Sequence, residues 1–224
     1  MNKLAAELLG TFILVFAGTG AIVVNQVTGG TIGHAGIALT FGLVVMALIY
    51  ALGDLSGCHL NPAVTLAFTA AGRFPARDAL PYAAAQITGA LAASGLLALL
   101  FPLSETAGAT LGATLPRGSN LQSLILEAVL TFILMLVILA VSSGPKEKGV
   151  MAGIAIGAVV GLEAMFAGPI CGASMNPARS IGPAVVSGNL GTLWIYILGP
   201  IAGALAAIPA HRLISSPNPP AKAG

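Results

Sequence analysis

The sequence predicts an all-α membrane fold of six transmembrane helices and two re-entrant half-helices, arranged as an inverted tandem repeat. Three observations carry this prediction. Hydrophobic residues make up 57% and charged residues 7% of the 224 positions, and mean hydropathy is +0.97, whereas a soluble domain carries about 25% charged residues. Two halves of the chain share blocks of sequence in the same order. Each half also holds a short Asn-Pro segment too brief to cross a bilayer.

Composition excludes several classes. A net charge of +2 with no Lys/Arg run is not the footprint of a nucleic-acid binder. Cys58 and Cys171 are the only cysteines; they cannot form the disulfide framework of a small secreted domain and read as small apolar residues. No metal or other cofactor is expected.

The first apolar run, 4–24, is led by Lys3 and has the look of a signal peptide, yet it lacks a convincing A-x-A cleavage site and has a partner later in the chain. The remaining runs are 35–53, 79–101, 121–141, 150–168 and 190–210, each near the roughly 20 residues that span a bilayer. The partner of the first is the fourth: "ELLGTFILVF" at 7–16 matches "EAVLTFILML" at 127–136, with Glu7 over Glu127. "HLNPAVTLA" at 59–67 matches "SMNPARSIG" at 174–182, and "ITGALAA" at 87–93 matches "IAGALAA" at 201–207. One domain over 1–224 is expected, with repeat one at about 1–101, repeat two at about 121–212 and a tail at 213–224. Three spans per half is an odd number, so the second copy enters the membrane from the opposite side.

Basic residues orient the chain. With a cytoplasmic N-terminus, Lys3, Arg73, Arg77, Lys146, Lys148, Arg212 and Lys222 all fall on the cytoplasmic side; Arg117 alone lies outside, in the loop 102–120, and Arg179 is in the membrane. Both termini are then cytoplasmic.

The two short segments are 61–71, ended by Gly72, and 176–187, ended by Gly188. As helices they would be about 16 and 18 Å long, roughly half the hydrocarbon thickness. Asn is among the best N-caps and Pro is favoured at the first helical position, so Asn61-Pro62 and Asn176-Pro177 start half-helices near the midplane. In inverted repeats these meet N-terminus to N-terminus. Each capping Asn turns its oxygen to its own helix and its NH₂ outward. The non-helical stretches 57–60 and 172–175 expose carbonyls, with Gly57, Cys58, His59, Gly172, Ala173 and Ser174 the expected wall; such backbone at membrane depth requires a water-filled cavity. The result is a narrow path of acceptors with two donors at its centre and two positive dipole ends aimed at it. Cations and protons are repelled there, and a small neutral molecule exchanges hydration bonds for wall bonds.

On these residues the chain resembles the major intrinsic protein family, the aquaporins and aquaglyceroporins. The two NPA motifs, Asn61-Pro62-Ala63 and Asn176-Pro177-Ala178, their "HLNPAVT" and "NPARS" contexts and the duplicated Glu and "TFIL" helices cover nearly all of the chain. The resemblance implies a passive channel in a plasma or bacterial inner membrane, a homotetramer with one pore per subunit, water and small neutral solutes as its cargo, and Glu7 and Glu127 as braces of the re-entrant loops. Its constriction positions fall on Phe41, Ala164, Ala173 and Arg179. Strictly water-selective members usually carry His at the fifth-span position, where this chain has Ala164. That change implies a wider, more apolar constriction able to admit polyols, urea or undissociated metalloid hydroxides. The stretch "AGPICGASMNPARSIGPA" resembles the nodulin-like intrinsic proteins and their bacterial relatives, and Ser180 stands where glycerol facilitators usually have Asp.

Other polar residues keep two readings. His59 is either pore wall or a satisfied buried histidine. Asp54 stands where the family often has His, and reads as a gate or as a solvated span end. Glu163, beside Ala164, is unusual in the fifth span; facing the pore it could pair with Arg179. Cys58 and Cys171 fall on opposite sides of the midplane, so no disulfide between them is expected. A secondary transporter also uses inverted repeats and broken helices, but needs a coupling-ion site. An enzyme is not expected, because the chain contains neither G-x-S-x-G nor H-E-x-x-H.

Overall fold

The computed structural model describes residues 2–101, 110–142 and 150–215. Among them run α1 (Asn2–Val27), α2 (Gly33–Ser56), α3 (Pro62–Ala70), α4 (Ala76–Leu100), α5 (Asn120–Val141), α6 (Ala152–Cys171), α7 (Pro177–Ser187) and α8 (Ile195–Ile214), with no strand. Six of these, all but α3 and α7, are long and apolar enough to cross a membrane. Lys146, Lys148, Lys222 and residues 102–109 of the loop expected outside lie beyond the described residues.

Most helix ends lie within three residues of the sequence reading. The exception is α8, which begins at Ile195 and not near 190. There the chain makes tight turns, with Leu193 N–H donating to Leu190 O and Ile195 N–H to Thr192 O, both at 3.1 Å. Uninterrupted hydropathy concealed the turns. At the same end of the bundle, α6 runs through Pro169 to Cys171, whose carbonyl meets Tyr196 in the first turn of α8.

Packing repeats with the sequence. α1 lies against α2 and α4, and α5 lies against the equivalent α6 and α8. The half-helices are exchanged: α3 packs on α8 of the other repeat, and α7 packs on α4. α2 and α6 close the bundle across the two repeats. Small residues permit this closeness. A Cβ at Gly89 would fall against Leu8 O, and one at the equivalent Gly203 would fall against Ala128 O.

The two half-helices are built from local signals. Asn61 is extended (φ −153°) and its Oδ1 accepts from Ala63 N–H at 2.9 Å; Pro62 follows at the first helical position. Asn176 (φ −149°) accepts from Ala178 N–H at 3.0 Å and Arg179 N–H at 3.3 Å. Their lengths are 9 and 11 residues, or about 14 and 16 Å. α3 stops in a Schellman motif: Gly72 is left-handed (φ 73°), Gly72 N–H reaches Thr69 O and Arg73 N–H reaches Phe68 O. Gly188, at φ 78°, ends α7.

Candidate pore and its constriction

The loops leading into α3 and α7 share a strained backbone. Gly57, Cys58 and Leu60 have φ of 86°, 49° and 50°; Gly172, Ala173 and Met175 have 91°, 42° and 55°. A non-glycine residue held there costs of order 1–3 kcal/mol and persists only where its surroundings over-determine it. The surroundings are two buried carboxylates. Glu7, wholly buried, accepts from His59 N–H (2.9 Å) and Leu60 N–H (2.7 Å), and also from Ser56 Oγ–H and the Gln86 amide, both at 2.7 Å. Glu127, equally buried, accepts from Ser174 N–H and Met175 N–H, each at 2.8 Å. Tyr82 O–H donates to Ser56 O at 3.0 Å, and Tyr196 O–H donates to Cys171 O at 2.7 Å, closing each loop from behind.

At the centre the two caps reach across. Asn61 Nδ2 donates to Met175 O at 2.7 Å, and Asn176 Nδ2 donates to Leu60 O at 2.8 Å. Each amide therefore spends one N–H on the opposite loop and keeps one for the lumen, a sharper picture than two wholly free NH₂ groups. Both asparagines line a cavity of ≈ 800 Å³. Its wall takes Gly57, Cys58 and His59 from the first loop and Ala173, Ser174 and Met175 from the second; Gly172 is not part of it. None of the carbonyls of Gly57, Cys58, His59, Gly172, Ala173 or Ser174 is engaged by another described residue. Facing them is an apolar surface that includes Val45, Ile138, Ile156 and Val160.

Phe41, Ala164, Ala173 and Arg179 all line the same cavity. The Arg179 guanidinium stands 5.1 Å from the Phe41 ring centroid. Arg179 is 3% exposed and its Nη1 donates to Gly112 O at 2.7 Å, so it does not reach for the headgroups. The Phe41 ring is seated on Gly18, where a Cβ would collide with it. Beside the arginine, Ser180 Oγ joins Ser174 Oγ at 2.5 Å and Thr114 Oγ1 at 2.8 Å, tying the connection between α4 and α5 to the second half-helix.

The remaining polar residues divide. His59 is both wall and satisfied: its Nδ1 is 3.1 Å from Thr65 Oγ1 and its ring packs on Phe68, Phe74 and Tyr82. Asp54 is an exposed residue of the cavity lining. Cys58 and Cys171 are free. Glu163 is 1% exposed, does not line the cavity, and has no hydrogen-bond partner at either oxygen among the described residues.

Gln86, Tyr82, Tyr196, Gly112 and Thr114 escaped the sequence reading. Gln86 could have been found as an amide inside an apolar run, and the two tyrosines as equivalent positions of the repeat. Gly112 acts through its carbonyl and gives no side-chain signal.

The profile of the family described as major intrinsic protein matches residues 1–211. The chain belongs to the major intrinsic protein family. Among its relatives is rice aquaporin NIP1-1, 48% identical over 220 residues, covering 98% of this chain and 76% of the relative. Rice aquaporin NIP1-4 is 52% identical, with 96% and 77% covered. Among solved structures, the aquaglyceroporin from Plasmodium falciparum aligns with a TM-score of 0.83 at 26% identity, covering 95% of this chain and 96% of that one. This major intrinsic protein is a membrane channel for water and small neutral solutes, and not an enzyme.

Proposed function

We propose that this major intrinsic protein is a broad-selectivity channel, passing small uncharged polyols, urea or undissociated metalloid hydroxides alongside water. The observation that carries the reading is the constriction: Phe41 and Arg179 face a wall whose other two members, Ala164 and Ala173, end at Cβ. A polyol presents hydroxyls on one side and C–H on the other, which fits a lumen with free carbonyls and Asn N–H groups opposite an aliphatic surface. The aquaglyceroporin with the same fold is in keeping with that cargo.

Ions are excluded by the same parts. Arg179 is a fixed cation beside the lumen, and the N-terminal ends of α3 and α7 place partial positive charge at the midplane, the elements by which aquaporin-type pores reject cations and protons. The two Asn N–H donors orient a central water with its oxygen toward them, which interrupts a proton wire. Glu7 and Glu127 hold the loops in register. The working unit we infer is a homotetramer with one pore per subunit, in a plasma or bacterial inner membrane, with both termini cytoplasmic.

Stopped-flow light scattering of proteoliposomes under gradients of sucrose, glycerol, urea and an undissociated metalloid acid tests this. Fast water flow with flux of at least one larger solute is expected. Water flow with all the others excluded would overturn the broad-selectivity reading, and a voltage-driven current would overturn ion exclusion.

A further inference from the structure

The two braces have equivalent carboxylates but unequal support. Glu7 takes a side-chain donor from the third span of its repeat, Gln86, whose Nε2 lies 2.7 Å from Glu7 Oε2. In the aligned blocks "ITGALAA" and "IAGALAA", Gln86 falls on Pro200, which has nothing to donate. α8 instead passes close to Glu127, and a Cβ at Gly199 would sit 2.9 Å from Glu127 Cβ. The third span of repeat two thus supplies packing where that of repeat one supplies a hydrogen bond.

On the other side of Glu127 stands α6, which packs on α5. Thirteen residues before each capping Asn, repeat one has Leu48 and repeat two has Glu163. The Glu163 side chain is closed off from solvent and from the lumen, its oxygens have no hydrogen-bond partner among the described residues, and Glu127 is the charged group whose field reaches it. A buried carboxylate without a partner is strongly disfavoured, and two buried carboxylates within each other's field repel unless one of them carries a proton. One arrangement answers both needs and fills the place left by Pro200.

We propose that Glu163 is the positioning residue of the second brace: it carries a proton and donates its O–H toward the Glu127 carboxylate, substituting on α6 for the Gln86 amide of repeat one. The geometry of the second loop then depends on a side chain that never touches the permeating molecule. Glu127 accepts one bond from Glu163 and two from the loop, and so holds Ser174 and Met175, next to Ala173 of the constriction.

The full-length channel tests this in two ways. In the infrared spectrum of the reconstituted wild type, a protonated carboxylic C=O band that shifts on deuteration is expected, and Glu163→Gln should remove it while leaving water permeability within about twofold. An amide can donate as Gln86 does, so Glu163→Gln should keep the wild-type thermal midpoint, whereas Glu163→Leu should lower it by about 2–4 °C for each kcal/mol lost. The proposal is overturned if no such band is lost in Glu163→Gln, if Gln and Leu destabilise equally, or if Glu163→Gln alters ion conductance as a pore-facing charge would.

Discussion

The two re-entrant loops carry the same backbone and do different work. Each runs through left-handed φ at equivalent positions, each hangs from a buried glutamate by two backbone N–H groups, and each ends on an Asn cap that grips the other loop. What surrounds them differs. The first loop is packed in an aromatic nest of Phe68, Phe74 and Tyr82 around His59. The second is joined by hydroxyls to the connection between α4 and α5 and leads into α7 and its Arg179, whose guanidinium is anchored on Gly112 O. Duplication thus supplied a symmetric frame for crossing the membrane, and three of the four residues proposed for the constriction, Ala164, Ala173 and Arg179, lie in the second copy, with Phe41 in the first. The symmetric parts should respond alike to substitution and the asymmetric parts should not.

The largest effect is expected at the braces. Glu7→Leu leaves His59 N–H, Leu60 N–H, the Ser56 hydroxyl and the Gln86 amide short of their acceptor, at about 1–3 kcal/mol per stranded buried group. Against a total stability of about 5–15 kcal/mol, no folded channel should be recovered. Glu127→Leu strands the two backbone donors and, on the proposal above, the Glu163 O–H, one donor fewer than at Glu7, and should give a reduced but measurable yield. Size-exclusion chromatography after extraction distinguishes the two, and an equal loss would mean that the additional side-chain donor at Glu7 adds nothing to the frame.

Next comes the asymmetric cation. Arg179→Val removes a charge held beside the lumen. Unit charges 4 Å apart interact by about 4 kcal/mol at an effective dielectric of 20, so cation or proton leak should rise by roughly two to three orders of magnitude, read by a pH dye in proteoliposomes, while water flow persists. An unchanged leak would assign ion exclusion to the half-helix ends alone, and so to the symmetric frame.

These contrasts follow what was legible in the sequence. The caps and proline starts of α3 and α7 could be read because they are local grammar, a residue acting on its own next turn. The inverted arrangement could be read because an odd number of spans per repeat leaves no alternative. The start of α8 was hidden because hydropathy at 190–194 continues through turns that the tetrad Gly188-Asn189-Leu190-Gly191 makes possible. The anchor of Arg179 was hidden because Gly112 contributes a carbonyl, which every residue has. Glu163 was visible as an oddity, but its meaning depends on Gln86 having no counterpart, and that comparison needed the Glu7 hydrogen bonds.

Ala164→His targets the constriction. The imidazole adds several heavy atoms to a wall that now ends at Cβ, and in a fitted site even one methylene changes discrimination by about tenfold or more. Glycerol flux should fall at least about tenfold with water flow largely kept, in the light-scattering measurement. Its counterpart in repeat one, Ile49, lines the cavity but is not among the proposed constriction residues, so Ile49→His should not reproduce that split; a matching split would extend the constriction to Ile49.

The smallest effect tests the symmetry most directly. Tyr82→Phe and Tyr196→Phe each remove one hydroxyl that satisfies a buried carbonyl, Ser56 O or Cys171 O, at the point where a span turns into its loop. Phenylalanine keeps the ring, so the contacts of Tyr82 with His59 and Phe74 survive and the comparison isolates the O–H. Each substitution should cost about 1 kcal/mol, and the two should agree within about 0.5 kcal/mol and add in the double variant, as sites without shared partners do. Thermal midpoints in one detergent suffice as a readout. If Tyr196→Phe proves much the costlier, the second loop leans on its third span more than the first does. Its frame would then be specialised along with its filter, since a loop that must hold Ala173 and Arg179 in register tolerates less slack than one that only completes the path.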